Sequence, residues 1–555
     1  MGGEGVTGNY LGRTVTASIE TVDDREGHTR VRLSGVADGD YVTKHLHNAG
    51  LLASSEPGEM PILARLEGAA PWEATVDVLE ASGTGEAPVV LRVESSLEGA
   101  AVALPAPFGK PADGTMALVV EARFADAEHR RMRLSLGEQA SAIFDLRADA
   151  NGYRLGRGAV RLGGDTAALP DDARLRVSGN VAYVSLGDWT ALVLKPRDGP
   201  GASDALPTSV DVAVERLSML GAEFADVRVS ASGNPGGDWR ASIEGPDIVG
   251  RVLVPSDLPR GQVTAEFERL AWKAIPGAEP DTADPREFPP MHVTCSYCSY
   301  DGMQMYDVEI VTSRRADGLN VDTLSLRTDG FRADADGAWT HDAARGQRTR
   351  LDMRLASDDL GKFLASLGHK GGATRGGVTA VTLAASWDGP PSSFRLEELD
   401  GELHFRAGEG TLTDVSRGTT GRLLGLLVVP DLPRRLQGDF SDLFEDGFNY
   451  SQIEGNFNIE RGNAYTNDLT LDGSQARIEI AGRTGLADED YDQLITVTPK
   501  ISESLPLMPI WLVEKALDQE VLNKLFAYQY TVTGSWDDPA VTRVIIENEY
   551  PSGRS

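Results

Sequence analysis

Residues Gln452–Gly462 read QIEGNFNIERG, and the segments behind them read AYTNDLTLDGS (464–474), QARIEIAGRTGL (475–486) and YDQLITVTPKI (491–501). Ile453, Phe457 and Ile459 share one parity in the first segment, as do Ala476, Ile478 and Ile480 in the third. Successive side chains of a strand point to opposite faces, so each segment reads as a strand with one dry and one wet face. Antiparallel sheet is the expectation. Ahead of it, GRLLGLLVVPDLPRR (421–435) and DFSDLFEDGF (439–448) predict helices over 421–429 and 440–446, with Asp439, Ser441 and Asp442 as helix-start residues.

Working outward, the same texture fills the chain of 555 residues. Short alternating runs such as TRVRLSGVA, VVLRVESSL and TMALVVEARF are divided by polar, Gly-bearing turns. The 61 glycines and 29 prolines suit many strands joined by turns. Three regions are expected: 1–255 and 256–400, the latter of repeated meander units, and 401–555. GAW (337–339), AASWDGPP (384–391) and TGSWDDP (533–539) form an internal echo of one β unit. At one strand per ~13 residues the chain holds roughly forty strands, and a single sheet of them would be about 190 Å long. A sheet of that length must twist and curl.

Further helices interrupt the pattern. DYVTKHLHNAGL predicts one near 40–51, and ASDDLGKFLASLGHKGG one near 357–368. In the latter, Leu360, Phe363, Leu364 and Leu367 make the apolar face, Ser357 or Asp358 the cap, and Gly368 the stop. Pro509 opens an amphipathic helix over 510–526, with the apolar stripe Ile510, Val513, Leu517, Val521 and Leu525. Trp189 and Trp239 each follow a Gly-Asp pair, and the expected role of both is core packing across neighbouring strands.

The net charge of −31 repels polyanions, and no Lys/Arg-rich run offsets it, which excludes nucleic acid as a partner. Any lipid contact must therefore be apolar. No window reaches the ~18 to 20 apolar residues a spanning helix needs. Cys295 and Cys298, in CSYC, lack both a second ligand pair for zinc and the helix start of a redox motif. They form either a small structural disulfide in an oxidising compartment or two free thiols. The sequence carries no GxSxG, P-loop, GxGxxG before a helix, or HExxH. His45 and His47, two apart, would share one face on a strand; the expectation for both is solvated surface, with no metal. The acids of ADEDYD (487–492) read as turn chemistry, not as a catalytic pair.

Several of these stretches also carry a likeness. SSLEGAAVALPAPFGKPA (95–112), with Leu104, Pro105, Pro107, Gly109 and Lys110, resembles a motif of the YhdP branch of the AsmA-like family. The stretch from SDDLGKFLASLGHKGG to TLTDV (357–415) resembles that branch too. The order from LLGLL through SQIEGNFNIERG to DYDQLITVTPKISESLP is similar to the C-terminal domain of that family. The resemblance implies a fragment of a longer periplasmic protein with an inner-membrane anchor that this chain lacks. It also implies relation to the bridge-like lipid transfer proteins, whose β-groove carries glycerophospholipids between inner and outer membranes.

The combined expectation is a mostly β protein: an elongated, twisted antiparallel sheet curled into a hydrophobic groove, with a few short amphipathic helices toward the C-terminus. It needs no cofactor, metal or catalytic residue. Its partners would be phospholipid acyl chains, the two membranes at its ends and envelope proteins that cap it. The expected lining is Ile453, Phe457, Ile459, Leu469, Leu471, Ile478, Ile480, Ile495 and Val497. The rival expectations are a structural or adhesive β-repeat envelope protein with filled sandwiches, and a carbohydrate-active envelope enzyme.

Overall fold

The computed structural model describes residues 5–22, 28–48, 65–78, 89–124, 129–149, 152–193, 206–219, 222–258, 260–273, 284–344, 346–367, 374–412, 448–500 and 527–544. These residues form 31 strands, largely antiparallel, and a few short helices. Two units divide the chain, Met1–Leu258 and Pro259–Ser555.

Unit 1 opens with β1 (Val6–Tyr10), β2 (Arg13–Val22), β3 (His28–Asp38), helix α1 (Gly39–Asn48) and β4 (Leu66–Val78). There follow β5 (Val89–Ser95), β6 (Ala100–Val102), β7 (Leu118–Phe124), β8 (His129–Leu136), β9 (Ala140–Asp149) and β10 (Gly152–Leu162). β11 (Leu175–Ser185), helix α2 (Leu186–Val193), β12 (Thr208–Met219), β13 (Ala222–Gly233), β14 (Trp239–Glu244) and β15 (Ile248–Val254) complete it. Neighbours pair antiparallel except β10 with β11 and β11 with β12, which run parallel. A parallel pair needs a return connection. Residues 163–174 supply the first, Ser141 Oγ donating to Asp165 O (2.8 Å) and Arg157 Nη1 to Pro170 O (3.0 Å).

Unit 2 begins with β16 (Val263–Trp272), β17 (Met291–Tyr300), β18 (Met303–Arg315), β19 (Gly318–Arg327), β20 (Arg332–Asp342) and β21 (Gly346–Ser357). Helix α3 (Leu360–Ser366) precedes β22 (Thr374–Gly376), β23 (Thr379–Asp388), β24 (Asp400–Ala407) and β25 (Gly410–Leu412). β26 (Phe448–Glu460), β27 (Asn463–Gly473), β28 (Ala476–Gly485), β29 (Asp490–Pro499), β30 (Tyr528–Ser535) and β31 (Ala540–Val544) close the series. Among the described strands of this unit, only β16 and β17 pair in parallel. The three echoed tryptophans each anchor a strand end, Trp339 Nε1 donating to Gln347 Oε1, Trp387 Nε1 to Pro390 O and Trp536 Nε1 to Asp490 O, all at 3.0–3.1 Å.

Several details depart from the sequence reading. The described helices do not gather toward the C-terminus, since α1 and α2 lie in unit 1. The helix cap is Asp359, not Ser357 or Asp358: its carboxylate accepts from Lys362 N, while Ser357 Oγ braces the turn by donating to Asp359 O. Leu360, Phe363 and Leu364 are buried beneath that helix. His45 and His47 sit on helix α1, where a two-residue spacing separates them around the axis, and His45 Nδ1 lies 3.3 Å from Tyr10 Oη. Trp189 belongs to α2 and is only half-buried; Trp239 is 38% exposed, its indole lying over Gly233 of the next strand. The predicted helices at 421–429, 440–446 and 510–526, and Gly368, lie outside the described residues.

Candidate functional site

Register turns the alternation of single strands into a surface. Cα partners from β2 to β15 run Ala17, Leu33, Ala74, Val93, Val120, Leu134, Ala142, Val160, Val177, Val210, Ala231, Ala241 and Val252. This is an unbroken apolar row across thirteen strands of unit 1. A parallel row on the same face, two residues along each strand, includes Ile19, Val31, Val76, Leu91, Ala122, Met132 and Phe144. Most of the first row is half-buried; only Ala74 and Ala142 are fully buried. Apolar side chains left in partial contact with water keep part of the free energy of burial, ~25 cal/mol per Å², available to a ligand.

On β3–β8 the reverse face carries charge. Arg32, Thr75, Arg92, Glu121 and Arg133 are Cα partners in sequence, and Glu121 is approached by Arg123 at 2.9 Å, Arg92 at 3.8 Å and Arg133 at 3.9 Å. Exposed pairs of this kind contribute little stability, so their effect is to keep this face wet. The strands are therefore two-faced by chemistry.

Unit 2 has its own row: Ala265, Val293, Ile310, Leu324, Ala335, Met353, Leu383, Leu403 and Phe457. It ends among the residues singled out from the sequence. Ile453 faces Leu471, which faces Ile478, which faces Val497; beside them Leu469 faces Ile480 and Ile480 faces Ile495. Ile459 lies opposite Gly401 and Ala464. All nine lie in one apolar cluster with Phe405, Tyr450 and Tyr491, and each is 0–4% exposed. In this structure they are sealed from solvent. Burial pushes the Tyr450 hydroxyl up to about 12, with the charge of Asp359 adding to it, and pushes that of Tyr491 further in the same direction.

The polar side of these strands bears a depression of about 650 Å³ lined in part by Glu402, His404, Asn456, Asn458 and Tyr465. Asp468 fixes its floor, accepting from Asn456 N (2.9 Å) and Nδ2 (2.7 Å). The acids at 487–492 lie at the β28–β29 turn, where Asp490 pairs with Arg483 at 2.5 Å. Cys295 and Cys298 are bonded to each other within β17, both buried, with Tyr297 between them 61% exposed. Cysteines three apart on a regular strand face opposite ways; here the pairing of β17 with β18 lapses at Ser296 without a change of register, and Asp307 opposite it adopts φ 48°. Among the described residues no cluster of His, Cys, Asp and Glu could hold a metal ion, and no helix is long and apolar enough to cross a membrane.

What sequence reasoning missed is the half-buried row of unit 1. Its signal was present in the alternation of β5, β7 and β8, but only register aligns those alternations.

The family model described as YhdP protein matches residues 2–541. The intermembrane phospholipid transporter YhdP of Escherichia coli (strain K12) is 22% identical over 501 residues, covering 86% of this chain and 39% of the relative. The chain thus spans about two-fifths of the length of that curated relative. No solved structure matches.

Proposed function

The chain belongs to the YhdP family, and from that premise we propose that it is a segment of an intermembrane phospholipid carrier, in which acyl chains lie against the half-buried apolar rows. The sheet, in this reading, curls into a trough: tails meet aliphatic side chains and headgroups stay in water. The setting is the periplasm, with inner and outer membranes at the two ends of the full-length protein and envelope proteins capping them. No covalent chemistry is involved.

The observation that carries this reading is the register of unit 1, where thirteen strands present an apolar residue at the same level while the reverse face of β3–β8 presents mainly arginine and glutamate. A conduit needs a uniform surface without a specific polar clamp, because each CH2 group gains ~0.8 kcal/mol wherever it sits. The nine residues near the C-terminal end belong to the same kind of surface but are closed. Their role in the proposal is to line a sealed end that opens to tails only when whatever covers them moves.

That sealing is also what a filled structural sheet without ligand would have, which keeps the rival reading in play for this end of unit 2. Photocrosslinking in cells separates the two. A photoreactive residue at Val120 or Leu134 gives adducts of phospholipid mass if the row carries tails. Adducts with protein alone, at both positions and at Ile478, would leave the structural reading standing.

A further inference from the structure

Two pieces of unit 1 that the row does not use meet where the order of strands would not bring them. The loop 96–117, which contains LPAPFGK at 104–110, leaves β5 and returns at β7, whereas α2 follows β11. From β7 to β11 the sheet takes four steps, through β8, β9 and β10, on the order of 19 Å at ~4.8 Å per step. Yet the rings of Phe108 and Trp189 stand edge to face with centroids 5.9 Å apart, and Trp189 Nε1 donates to Ala106 O over 3.4 Å.

Strand directions put both pieces on one edge. β5 and β11 run the same way, because three antiparallel steps and one more precede the parallel step from β10 to β11. β3, which α1 follows, runs that way too. β2, β4, β7 and β9 run the other way and end at the opposite edge. The loop also lies on the apolar side: Leu97 and Met116 are buried with Ala70 and Ala100 against Leu118 and Leu136, which share a face with Val120 and Leu134 of the row.

The loop is held in one shape. Val102 and Lys110 exchange both backbone hydrogen bonds (2.9 and 3.1 Å), Phe108 N donates to Pro105 O (3.1 Å), and Lys110 Nζ donates to the carbonyls of Ala100 and Pro111. A Cβ on Gly109 would come within 2.1 Å of Leu104 O, so only glycine lets the turn close.

We propose that the segment Leu104–Lys110 and helix α2 form a fixed strap across one edge of the apolar face, closing that edge above β8–β10 to bulky ligands. A ligand then reaches this part of the row only along its length or from the opposite edge. If the carrier reading above holds, phospholipid headgroups project from that opposite edge; the strap itself is tested without lipid.

The full chain carrying Leu134→Cys is labelled with methyl methanethiosulfonate and, separately, with a polyethylene glycol maleimide; Val252→Cys, at the far end of the same row, is the control. The native cysteines are bonded to each other and do not compete. Adding Trp189→Ala, or Phe108→Ala, is expected to speed maleimide labelling at Leu134→Cys about tenfold, as local opening at a released contact does. The small reagent and the Val252→Cys control should change less than twofold. A maleimide rate that either variant leaves unchanged overturns the strap, as does a rise at both positions, which marks general loosening. Absence of lipid adducts at Leu134 in the intact protein would instead count against the carrier reading alone.

Discussion

Ile478 of β28 stands directly opposite Val497 of β29, 4% and 0% exposed, whereas the corresponding partners Val120 and Leu134 of β7 and β8 are only half-buried. The same pattern of alternation thus ends in two different environments, one packed and one partly open.

Truncation reads that difference directly. Ile478→Ala leaves a cavity among packed neighbours and is expected to cost about 2–5 kcal/mol, while Leu134→Ala, already in partial contact with water, costs about 1 kcal/mol. Denaturant midpoints of the two variants check this, and equal shifts would contradict the contrast in packing.

A charge placed in the open row should expel ligand without unfolding the chain. Val120→Glu is expected to cut phospholipid co-purifying with the protein severalfold, because a carboxylate cannot be buried under an acyl chain without a partner. Glu121→Gln, on the charged face, should leave it unchanged. Phosphorus per mole of protein is the readout, with circular dichroism as the check on folding.

Asp359 gives a pH signature. Burial alone would raise its pKa, but the amides of Lys362, Gly376 and Gly361 outweigh it and hold the carboxyl below its usual range. A depressed carboxylate contributes stability that is fully present above the unfolded value of about 3.9 and is lost as pH falls through the folded value. Asp359→Ala should therefore cost roughly 1 kcal/mol at neutral pH and progressively less below pH ~4. A penalty that does not change between pH 7 and pH 3 would rule out the capping carboxylate as its source.

The bonded pair Cys295–Cys298 encloses a very short loop, with a sequence separation of 3. Loop-closure entropy for so few residues is about 2 kcal/mol, so reduction should lower stability modestly and leave the fold intact. Thiol titration of the denatured, unreduced protein should find none free. Two reactive thiols under those conditions would show the bond absent.

Much of the architecture was legible beforehand. Parity alone placed Ile453, Phe457 and Ile459 on one face, and the 3.6-residue spacing of Leu360, Phe363 and Leu364 placed α3 within three residues of its ends. Other elements were not legible for physical reasons. LGDWTALV carries a turn-like Gly-Asp pair and a tryptophan, and it is helix because it sits at the crossover between two parallel strands. Asp359 caps instead of Asp358 because only its carboxylate reaches both the helix start and the amide of Gly376.

The sequence by itself determined that this chain makes two-faced strands, since a period of two fixes which side chains travel together whatever surrounds them. Only the tertiary structure decided which of those faces is sealed and which is half open. Alternation within a strand carries no information about how many layers will cover it. That is set by the alignment of neighbouring strands and by distant segments, such as Phe108 and Trp189, that meet across them.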